Sequence, residues 1–421
     1  MKRKSNYKSS NKIASDKKNV DQNKISSSIT SNIMSEYENN MKSNKDESWI
    51  TEGSVLVKLY NSFKGGKKMI SFDMDDTLIT SLSKKNFGKN EKDWKLFADK
   101  KIMEDKFNEY KNKDYIFVVF SNQNGIEAGH TTEEIFWKKM DLVFAELKFP
   151  FIVFAAVKKD FYRKPCIGMF ELFESKYNDN NIIDKSSSYF IGDAAGRKKD
   201  QSYPKNDFSN SDYKFALNNG LNFLTPEEFF LNIKQKIPKI NFDLHTFDNN
   251  SNNHIKFDEK TQEMIILVGS PGSGKSTYCV NELVPKGYVR VNQDTLKTEK
   301  KCLDVASTEI KNGKSVIIDC TNPKKEKRSI YIKLAKDNKI KVRCFVMNVD
   351  KELAFHLNNL REINNERTHH SGPVNKIPIH TFYKYFEEPT ENEGLDEVVK
   401  VNFIPGPFVN EKDKQIFYMY S

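Results

Sequence analysis

The chain has 421 residues, which at roughly 150 residues per domain predicts two or three domains rather than one. Lys and Arg number 68 against 58 Asp and Glu, so the net charge is +10 and the surface favours polyanions, although a Lys-rich composition gives the same excess without any such partner. A hydrophobic fraction of 37%, with 31 Phe and 17 Tyr, excludes wholesale disorder because it is enough to build cores.

The sequence predicts neither a membrane span nor a secretion signal. The longest nearly unbroken apolar stretch, residues 149–157, contains Pro150 and is followed by two Lys, so it predicts a buried strand. The N-terminus lacks the apolar core of a signal peptide. An odd number of cysteines without a CxxC pair predicts reduced thiols in an intracellular protein, not disulfides or zinc ligands: Cys166, Cys279, Cys302, Cys320 and Cys344.

Residues 1–47 are predicted to form a disordered tail. The segment is rich in Ser, Asn and Lys, has few apolar residues and shows no helical or strand period. Its basic start, Lys2-Arg3-Lys4, fits contact with phosphates or a nuclear address, and it also fits a solvated tail without a specific role.

Residues 48–238 are predicted to form an α/β domain. Short apolar runs alternate there with helix-length segments, which predicts a parallel sheet with crossover helices. The clearest strand candidates are Met69–Met74, Tyr115–Phe120, Phe151–Val157 and Tyr189–Gly192.

A second α/β domain is predicted for residues 263–421, after a polar interval at 239–262 that has the composition of a linker. The fold class is therefore two doubly wound, parallel-sheet α/β domains that follow a disordered tail. Strand candidates in the second domain are Met264–Gly269, Tyr288–Asn292, Val316–Asp319 and Val342–Met347.

Three carboxylates follow the first strong strand, in Asp73-Met74-Asp75-Asp76-Thr77. Parallel α/β sheets place their sites at this edge. An extended strand would point Asp73 and Asp75 to one face, where two like charges raise at least one pKa. One carboxylate can then attack while the other, protonated, serves as an acid. An acidic turn is the alternative interpretation.

Polar groups also end three neighbouring strands. Ser121 offers a hydroxyl to a phosphoryl oxygen, Lys164 offers a positive charge, and Asp193 offers a carboxylate to Mg²⁺. Separately they fit a helix cap, a surface charge and a turn residue. Their occurrence together favours a phosphate site.

This order of DxDxT, Ser, Lys and Gly-Asp resembles the haloacid dehalogenase phosphatase superfamily. The sequence that flanks these residues is more specific. It is similar to the phosphatase half of eukaryotic-type polynucleotide kinase 3′-phosphatases, in FDMDDTLIT, VVFSNQNGI, YRKPCIGMF, YFIGDAAGR and residues 207–230. The resemblance implies that Asp73 is the nucleophile that forms an aspartyl-phosphate. It implies that Asp75 is the general acid and later the base for the hydrolytic water.

The same resemblance implies the remaining roles in this half. Ser121 and Lys164 would bind the phosphoryl group. Mg²⁺ would be held by the side chains of Asp73 and Asp193 and the backbone carbonyl of Asp75. Asp76 departs from the pattern, because relatives usually have Gly there, which points to a difference in turn geometry and local charge.

A complete Walker A sequence follows the apolar strand that begins at Met264. Its glycines let backbone N–H groups surround phosphate oxygens, Lys275 reaches the β- and γ-phosphates of ATP, and Ser276 reaches Mg²⁺. The predicted nucleotide-binding residues are Gly269, Ser270, Pro271, Gly272, Ser273, Gly274, Lys275, Ser276 and Thr277.

Two carboxylates end the strands that follow the P-loop. Asp294 is placed to accept a proton from an attacking hydroxyl, and Asp319 is the next candidate for that base. The sequence has no NKxD motif, which a regulatory GTPase would need to read its base, so a kinase is favoured.

Arg361 lies on a predicted helix in this half. It is a candidate clamp for the transferred phosphoryl group, and the alternative is a surface salt bridge with Glu362 or Glu366.

The second half is similar to the kinase half of the same family, in VGSPGSGKST, YVRVNQDTL, VIIDCTNP, RCFVMN, HLNNLREI and residues 374–394. The resemblance implies that Asp294 activates the 5′-hydroxyl, that Thr321 binds substrate and that Arg361 belongs to a lid over ATP. Gln293 replaces an Arg that is common in relatives, which removes one expected phosphate contact.

Together the two halves predict an enzyme that heals nucleic-acid ends in DNA strand-break repair, removing 3′-phosphates and phosphorylating 5′-hydroxyls with ATP. RNA or tRNA end repair, a small-metabolite kinase-phosphatase and a non-catalytic end-binding scaffold are the alternatives. The complete set of Asp73, Asp75, Lys275 and Asp294 argues against the scaffold.

The expected partners are nucleic-acid ends, with DNA favoured, and no membrane. The N-terminal segment is too short and polar for the forkhead-associated domain of animal relatives, so recruitment by that route is not expected. The expected location is intracellular, in the nucleus or another site of DNA repair.

Overall fold

The computed structural model describes residues 48–83, 90–200, 203, 205–247, 255–258, 260–363, 374–406 and 408–421. The predicted tail, residues 1–47, lies outside them. The chain divides into two compact units, of which the first ends at Pro238 and the second begins at Lys239. Within the described ranges, no helix has the length and apolar character that a bilayer crossing requires.

The described residues of the first unit contain nine strands: β1 Ile50–Glu52, β2 Val55–Tyr60, β3 Lys68–Phe72, β4 Ile79–Thr80, β5 Lys95–Leu96, β6 Tyr115–Asn122, β7 Phe151–Ala156, β8 Tyr189–Ile191 and β9 Asn222–Leu224. Seven of them form one sheet in the order β1-β2-β7-β6-β3-β8-β9, and β4 pairs with β5. The strands from β7 to β9 in that order are parallel, which places their carboxyl ends along one edge.

Helices cover both faces of this sheet. The α-helices are α1 Lys100–Lys111, α2 Asn124–Glu127, α3 Glu133–Leu147, α4 Gly168–Leu172, α5 Ser211–Asn219 and α6 Pro226–Leu231. Alternate side chains of a strand point to opposite faces, so Ile70 and Phe72 join one apolar core and Met69 joins the other. The crossover arrangement expected from the sequence is confirmed.

Strand β2 was not among the predicted strands, and it runs antiparallel to β7. Lys58 interrupts its apolar pattern, yet this side chain is buried. Its Nζ lies 2.6 Å from Oδ1 of Asp141, which also accepts a hydrogen bond of 2.7 Å from the Tyr60 hydroxyl. A buried charge is tolerated when it is paired and hydrogen-bonded, and that pairing is not visible in a linear sequence.

The second unit carries a five-stranded sheet whose neighbouring strands are all parallel. Its strands, in the order β11-β12-β10-β13-β14, are β10 Glu263–Val268, β11 Val289–Asn292, β12 Val316–Asp319, β13 Lys341–Asn348 and β14 Glu397–Asn402. Its α-helices are α7 Lys275–Tyr278, α8 Gln293–Leu296, α9 Glu299–Lys311, α10 Lys325–Asp337, α11 Lys351–Ile363, α12 Lys376–Tyr385 and α13 Glu411–Tyr418. The four strands predicted here are present.

The interval 239–262, whose composition predicts a linker, contributes to the second unit. Leu244 is buried in its core, and Phe242, Phe247, Ile255 and Phe257 pack against that core. These apolar residues are diluted by Asn, Asp and Ser in the sequence, which is why composition indicates only a linker.

An ion pair in the second unit fixes the loop after β12. Arg328 is fully buried and donates to both carboxylate oxygens of Glu393, at 2.8 and 2.7 Å. The same guanidinium donates to the carbonyl oxygens of Asn322, at 3.1 Å, and Pro323, at 3.2 Å. These bonds hold the loop that follows Thr321.

Candidate active sites

Asp73 directly follows β3, the strand that lies between β6 and β8. Its backbone N–H donates to the carbonyl oxygen of Ile191 at the end of β8, over 2.8 Å. Lys164 donates from Nζ to Oδ1 of Asp73 over 2.6 Å. The side-chain amide of Asn122 fixes Lys164 in turn, through bonds of 2.9 and 3.0 Å to its backbone N–H and carbonyl. Asn122, at the end of β6, therefore holds the backbone of Lys164 so that its ammonium group contacts the carboxylate of Asp73, just after the neighbouring strand β3.

Three carboxylates meet at this point: an oxygen from each of Asp73, Asp193 and Asp212 lies within 4.8 Å of the other two. Asp212 is in the first turn of α5, where its Oδ2 accepts a hydrogen bond of 3.1 Å from the backbone N–H of Ala194. Its Oδ1 lies 2.8 Å from Nζ of Lys164. Sequence reasoning missed Asp212, although the residue lies in the quoted segment 207–230.

The electrostatics of the cluster follow from burial. Burial raises the pKa of Asp73 to about 7, although Lys164 opposes the shift. Burial, followed by the charges of Asp212 and Asp73, holds the pKa of Asp193 well above its usual range. The two carboxylates beside Lys164 outweigh the burial that would lower its pKa, so its pKa is raised and it stays a cation. Three acidic groups thus share a desolvated site with one ammonium group.

The donor set of this cluster fits a hard divalent cation. All three acidic side chains offer oxygen atoms, which are the ligands that Mg²⁺ prefers, and their mutual repulsion would be relieved by positive charge. Of the predicted ligands, the side chains of Asp73 and Asp193 belong to the cluster, and Asp212 adds a third carboxylate. The backbone carbonyl of Asp75 stays a predicted ligand.

Asp75 differs from Asp73 in its surroundings. Strand β3 ends at Phe72, so the extended geometry that would point both carboxylates to one face is not present, and the Asp75 side chain is 55% exposed. Its Oδ2 accepts a bond of 2.9 Å from Nε2 of Gln123, and Lys139 Nζ lies 3.5 Å from its Oδ1. The raised pKa of Asp73 accordingly comes first from burial and only last from Asp75.

Asp76 adopts a left-handed backbone conformation, with φ of 56°. Gly takes such a conformation without cost, and Asp and Asn tolerate it better than other side chains. The turn geometry therefore survives the departure noted in the sequence. The added carboxylate is 3.6 Å from Nζ of Lys205.

The P-loop lies between β10 and α7 in the second unit. Gly272 and Gly274 have φ values of 84° and 85°, in the region that favours glycine. A Cβ at Gly269 would lie 2.6 Å from Oγ of Ser273, so that position also needs glycine. The loop backbone can therefore take the curvature that a phosphate requires.

Lys275 is buried, and its Nζ donates to the carbonyl oxygens of Gly269 and Ser270 at 2.9 and 2.8 Å. Burial lowers the pKa of Lys275 to about 8; the charges of Asp319 and Asp294 oppose this shift and that of Arg361 adds to it. All three charged residues thus act on the P-loop lysine. Burial also lowers the pKa of Arg361, on α11.

Asp319 ends β12 deep in the unit, with its side chain 1% exposed. Its Oδ2 accepts a bond of 2.9 Å from the Ser276 hydroxyl and one of 3.0 Å from Asn292. Arg290, which sequence reasoning missed, donates to the same oxygen from Nε and Nη2, at 2.8 and 2.6 Å. This set of donors suits a group that orients Ser276.

Asp294 lies on the surface, in α8 just beyond β11, as does its neighbour Gln293. An exposed carboxylate at this edge is open to an incoming hydroxyl, in contrast to the enclosed Asp319. The carbonyl oxygen of Thr321 accepts a bond of 3.2 Å from the backbone N–H of Gly269, which puts Thr321 beside the P-loop. The salt-bridge alternative for Arg361 falls on the Glu362 side chain and Glu366, outside the described residues.

Comparisons with known proteins agree with this division. Residues 68–230 match the family "Polynucleotide kinase 3 phosphatase" and residues 264–389 match the family "AAA domain". A bifunctional polynucleotide phosphatase/kinase of Schizosaccharomyces pombe is 38% identical over 365 residues, which cover 84% of each chain.

A putative bifunctional polynucleotide phosphatase/kinase of Acanthamoeba polyphaga mimivirus is 37% identical, over 84% of this chain and 90% of the relative. Among solved structures, a putative HAD-like phosphatase from Mesorhizobium loti has a TM-score of 0.29 at 19% identity, and the likeness covers 34% of this chain and 72% of that one. So low a score supports no argument of its own.

Proposed function

Since the chain belongs to the bifunctional polynucleotide phosphatase/kinases, we propose that it removes 3′-phosphates from DNA ends in its first unit and phosphorylates 5′-hydroxyls with ATP in its second. The observation that carries the proposal is the presence of two separate sites. One is the largely enclosed Asp73 with Lys164 and two further carboxylates, and the other is a P-loop with Asp294 at its edge.

In the phosphatase site, Asp73 attacks the phosphorus with one carboxylate oxygen, and the bond from phosphorus to the 3′-oxygen breaks. Asp75 gives its proton to that oxygen, and a hydroxyl end leaves. Water then attacks the aspartyl-phosphate, Asp75 takes the proton, and phosphate departs as Asp73 is restored. Lys164 and Ser121 stabilise the charge on the phosphoryl oxygens.

Mg²⁺ is the proposed cofactor of this site, where Asp73, Asp193 and Asp212 would hold it. When bound, it supplies positive charge against the phosphoryl oxygens. Lys164, paired with Asp212, keeps its own positive charge directed at Asp73 in the absence of substrate.

In the kinase site, Asp294 takes the proton of the 5′-hydroxyl as its oxygen attacks the γ-phosphorus of ATP. The bond to the bridging oxygen of the β-phosphate breaks and ADP leaves. Lys275 exchanges the carbonyl oxygens that it contacts for phosphate oxygens, and Arg361 adds positive charge. Thr321 contacts the substrate end, and Asp319 orients Ser276.

The test is a nicked DNA duplex that bears a 3′-phosphate and a 5′-hydroxyl at the nick, incubated with the protein, Mg²⁺ and ATP. We expect both ends to be converted, so that added DNA ligase seals the nick. A matched RNA nick tests RNA repair, the alternative use of the same chemistries. Failure to convert either end of the DNA would overturn the proposal, and faster conversion of RNA would reassign the substrate. The site of action proposed for the protein is the nucleus or another compartment where DNA is repaired.

A further inference from the structure

Gln123 joins two residues of the phosphatase site that no hydrogen bond connects directly. Its Nε2 donates to Oδ2 of Asp75 over 2.9 Å and to Oγ of Ser121 over 2.8 Å. The residue follows β6 directly and occupies the position before the short helix α2 without a capping side-chain bond, and its backbone N–H donates to the carbonyl oxygen of Ala156 over 2.9 Å. Gln123 is therefore held at its backbone while its amide spans the site.

The orientation of this amide follows from its neighbours. An ionised carboxylate accepts hydrogen bonds and donates none, and a carboxyl protonated on Oδ1 still accepts at Oδ2, so the amide carbonyl oxygen turned towards Oδ2 of Asp75 would place two acceptors face to face. With the NH₂ group there instead, one hydrogen goes to each of the two oxygens. The hydrogen bond to Ser121 therefore has a fixed direction, in which Gln123 is the donor and the Ser121 hydroxyl oxygen is the acceptor.

That direction determines what the Ser121 hydroxyl can do. A hydroxyl carries one hydrogen and two lone pairs, and Gln123 uses one lone pair. Within the described part of the chain, Ser121 is buried and its hydrogen has no acceptor. The hydrogen is then left for a phosphoryl oxygen beside Asp73.

Asp75 gains a fixed direction from the same amide. Its carboxylate is more than half exposed, so without partners it would turn freely. Gln123 holds Oδ2, and Lys139 on α3 approaches Oδ1 at 3.5 Å. Proton transfer needs an acid within hydrogen-bond reach of the leaving oxygen, and a fixed carboxylate meets that need more often than a mobile one.

We propose that Gln123 is a positioning residue of the phosphatase, which aligns Asp75 for proton transfer to the leaving 3′-oxygen and directs the Ser121 hydroxyl at the phosphoryl group. The inference rests on the proposed 3′-phosphatase function. It assigns Gln123 no contact with substrate.

The test is Gln123→Met, which keeps the length of the side chain and removes both donors without adding charge. A DNA oligonucleotide 3′-phosphate has a poor leaving group that needs an acid, whereas p-nitrophenyl phosphate has a good one that needs little help. We compare kcat/KM for the two, because kcat/KM reports the steps up to the first phosphoryl transfer. We expect a loss of about 100-fold on the oligonucleotide, at the low end of what a positioned acid contributes, and of about tenfold or less on p-nitrophenyl phosphate.

Two measurements separate positioning from a general loss of structure. The kinase rate of the same variant should be unchanged, because that site lies in the other unit. Gln262→Met is the matched control: Gln262 also donates twice from Nε2, to the carbonyl oxygens of Ile310 and Lys314, but lies in the second unit. It should leave the phosphatase rate unchanged.

Equal losses on the two phosphate esters, or no loss on the oligonucleotide, would overturn the assignment of Gln123. In an Asp75→Asn background, Gln123→Met should cost no more on the oligonucleotide than on p-nitrophenyl phosphate, and a larger cost would also contradict it. An unaltered protein that leaves 3′-phosphates intact would instead refute the proposed function itself. The two failures are therefore distinguishable.

Discussion

Lys164 is paired with Asp212 as well as with Asp73: its Nζ lies 2.8 Å from Oδ1 of Asp212, and both of these side chains are at least 98% buried. The second pairing matters for the proposed reaction. With the phosphoryl group on Asp73, the charge of that residue would no longer face Lys164 as a free carboxylate. Asp212 still does, so the buried ammonium keeps an anionic partner throughout the cycle.

Gly192 makes room for that pairing. A Cβ at this position would lie 2.4 Å from Oδ2 of Asp212, closer than any real contact. We expect Gly192→Ala to push Asp212 out of the cluster and to lower the 3′-phosphatase rate by about 10- to 100-fold, because a misplacement of about 1 Å among the groups around a reacting centre costs up to about 10²-fold. Oligonucleotide dephosphorylation measures it. The kinase rate is the internal control, and full phosphatase activity in the variant would show that Asp212 can move without cost.

Replacement of the nucleophile should separate the two activities. Asp73→Asn keeps the shape of the side chain but removes the attacking oxygen, so the phosphatase rate should fall by about 10⁴-fold or more, while the kinase rate is retained. Both rates are measured on singly modified oligonucleotides. Asp105→Asn, on the exposed face of α1, is the matched control and should change neither rate. Loss of both activities in a folded Asp73→Asn protein would contradict independent sites.

The reverse separation is expected for the P-loop. Lys275→Ala removes the cation that serves the ATP phosphates, so 5′-phosphorylation should fall by about 10²-fold or more, and the 3′-phosphatase should not change because aspartyl chemistry uses no nucleotide. Lys300→Ala, at an exposed position of α9, controls for the loss of a lysine. A requirement for ATP in dephosphorylation would refute this prediction.

The two acidic residues near the P-loop should respond differently. Asp294→Asn should reduce the kinase rate by about 10²- to 10⁴-fold, the range of a general base, with ATP affinity close to that of the unaltered protein. Asp319→Asn should weaken ATP binding with Mg²⁺, because Asp319 holds the Ser276 hydroxyl. Calorimetric titration with ATP and single-turnover kinase assays measure these effects. If the ATP affinity of Asp294→Asn fell as far as its kinase rate, Asp294 would not be the general base, and Asp319 would be the next candidate to test.

The sequence predicts the strands that carry the sites because buried parallel strands are contiguous apolar runs, and the polar residues after them face one edge. Asp73, Ser121 and Asp193 were found in this way. Asp212 was not, because it reaches the cluster from the first turn of a helix and does not directly follow a strand. Gln123 lies in the segment VVFSNQNGI, which resembles the family. Its hydrogen bond to Asp75 depends on how the ends of β6 and β3 meet, and that is not visible in a linear sequence.

Burial is the other quantity that the sequence does not provide. Spacing suggests that Asp73 and Asp75 share one environment, but one is nearly enclosed and the other is exposed. The proposed nucleophile is the enclosed residue and the proposed proton carrier is the exposed one, and both lie just beyond the end of β3 at Phe72.

The buried pair of Arg328 and Glu393 bears on how this chain can be divided into fragments. The match to the "AAA domain" family ends at residue 389, four positions before Glu393. A fragment cut at that limit would remove the counter-ion of Arg328, and loss of one partner of a buried pair costs about 3–5 kcal/mol where the other partner stays buried. The loop after Thr321 would lose its anchor at the same time. An expressible kinase fragment must therefore extend through Glu393.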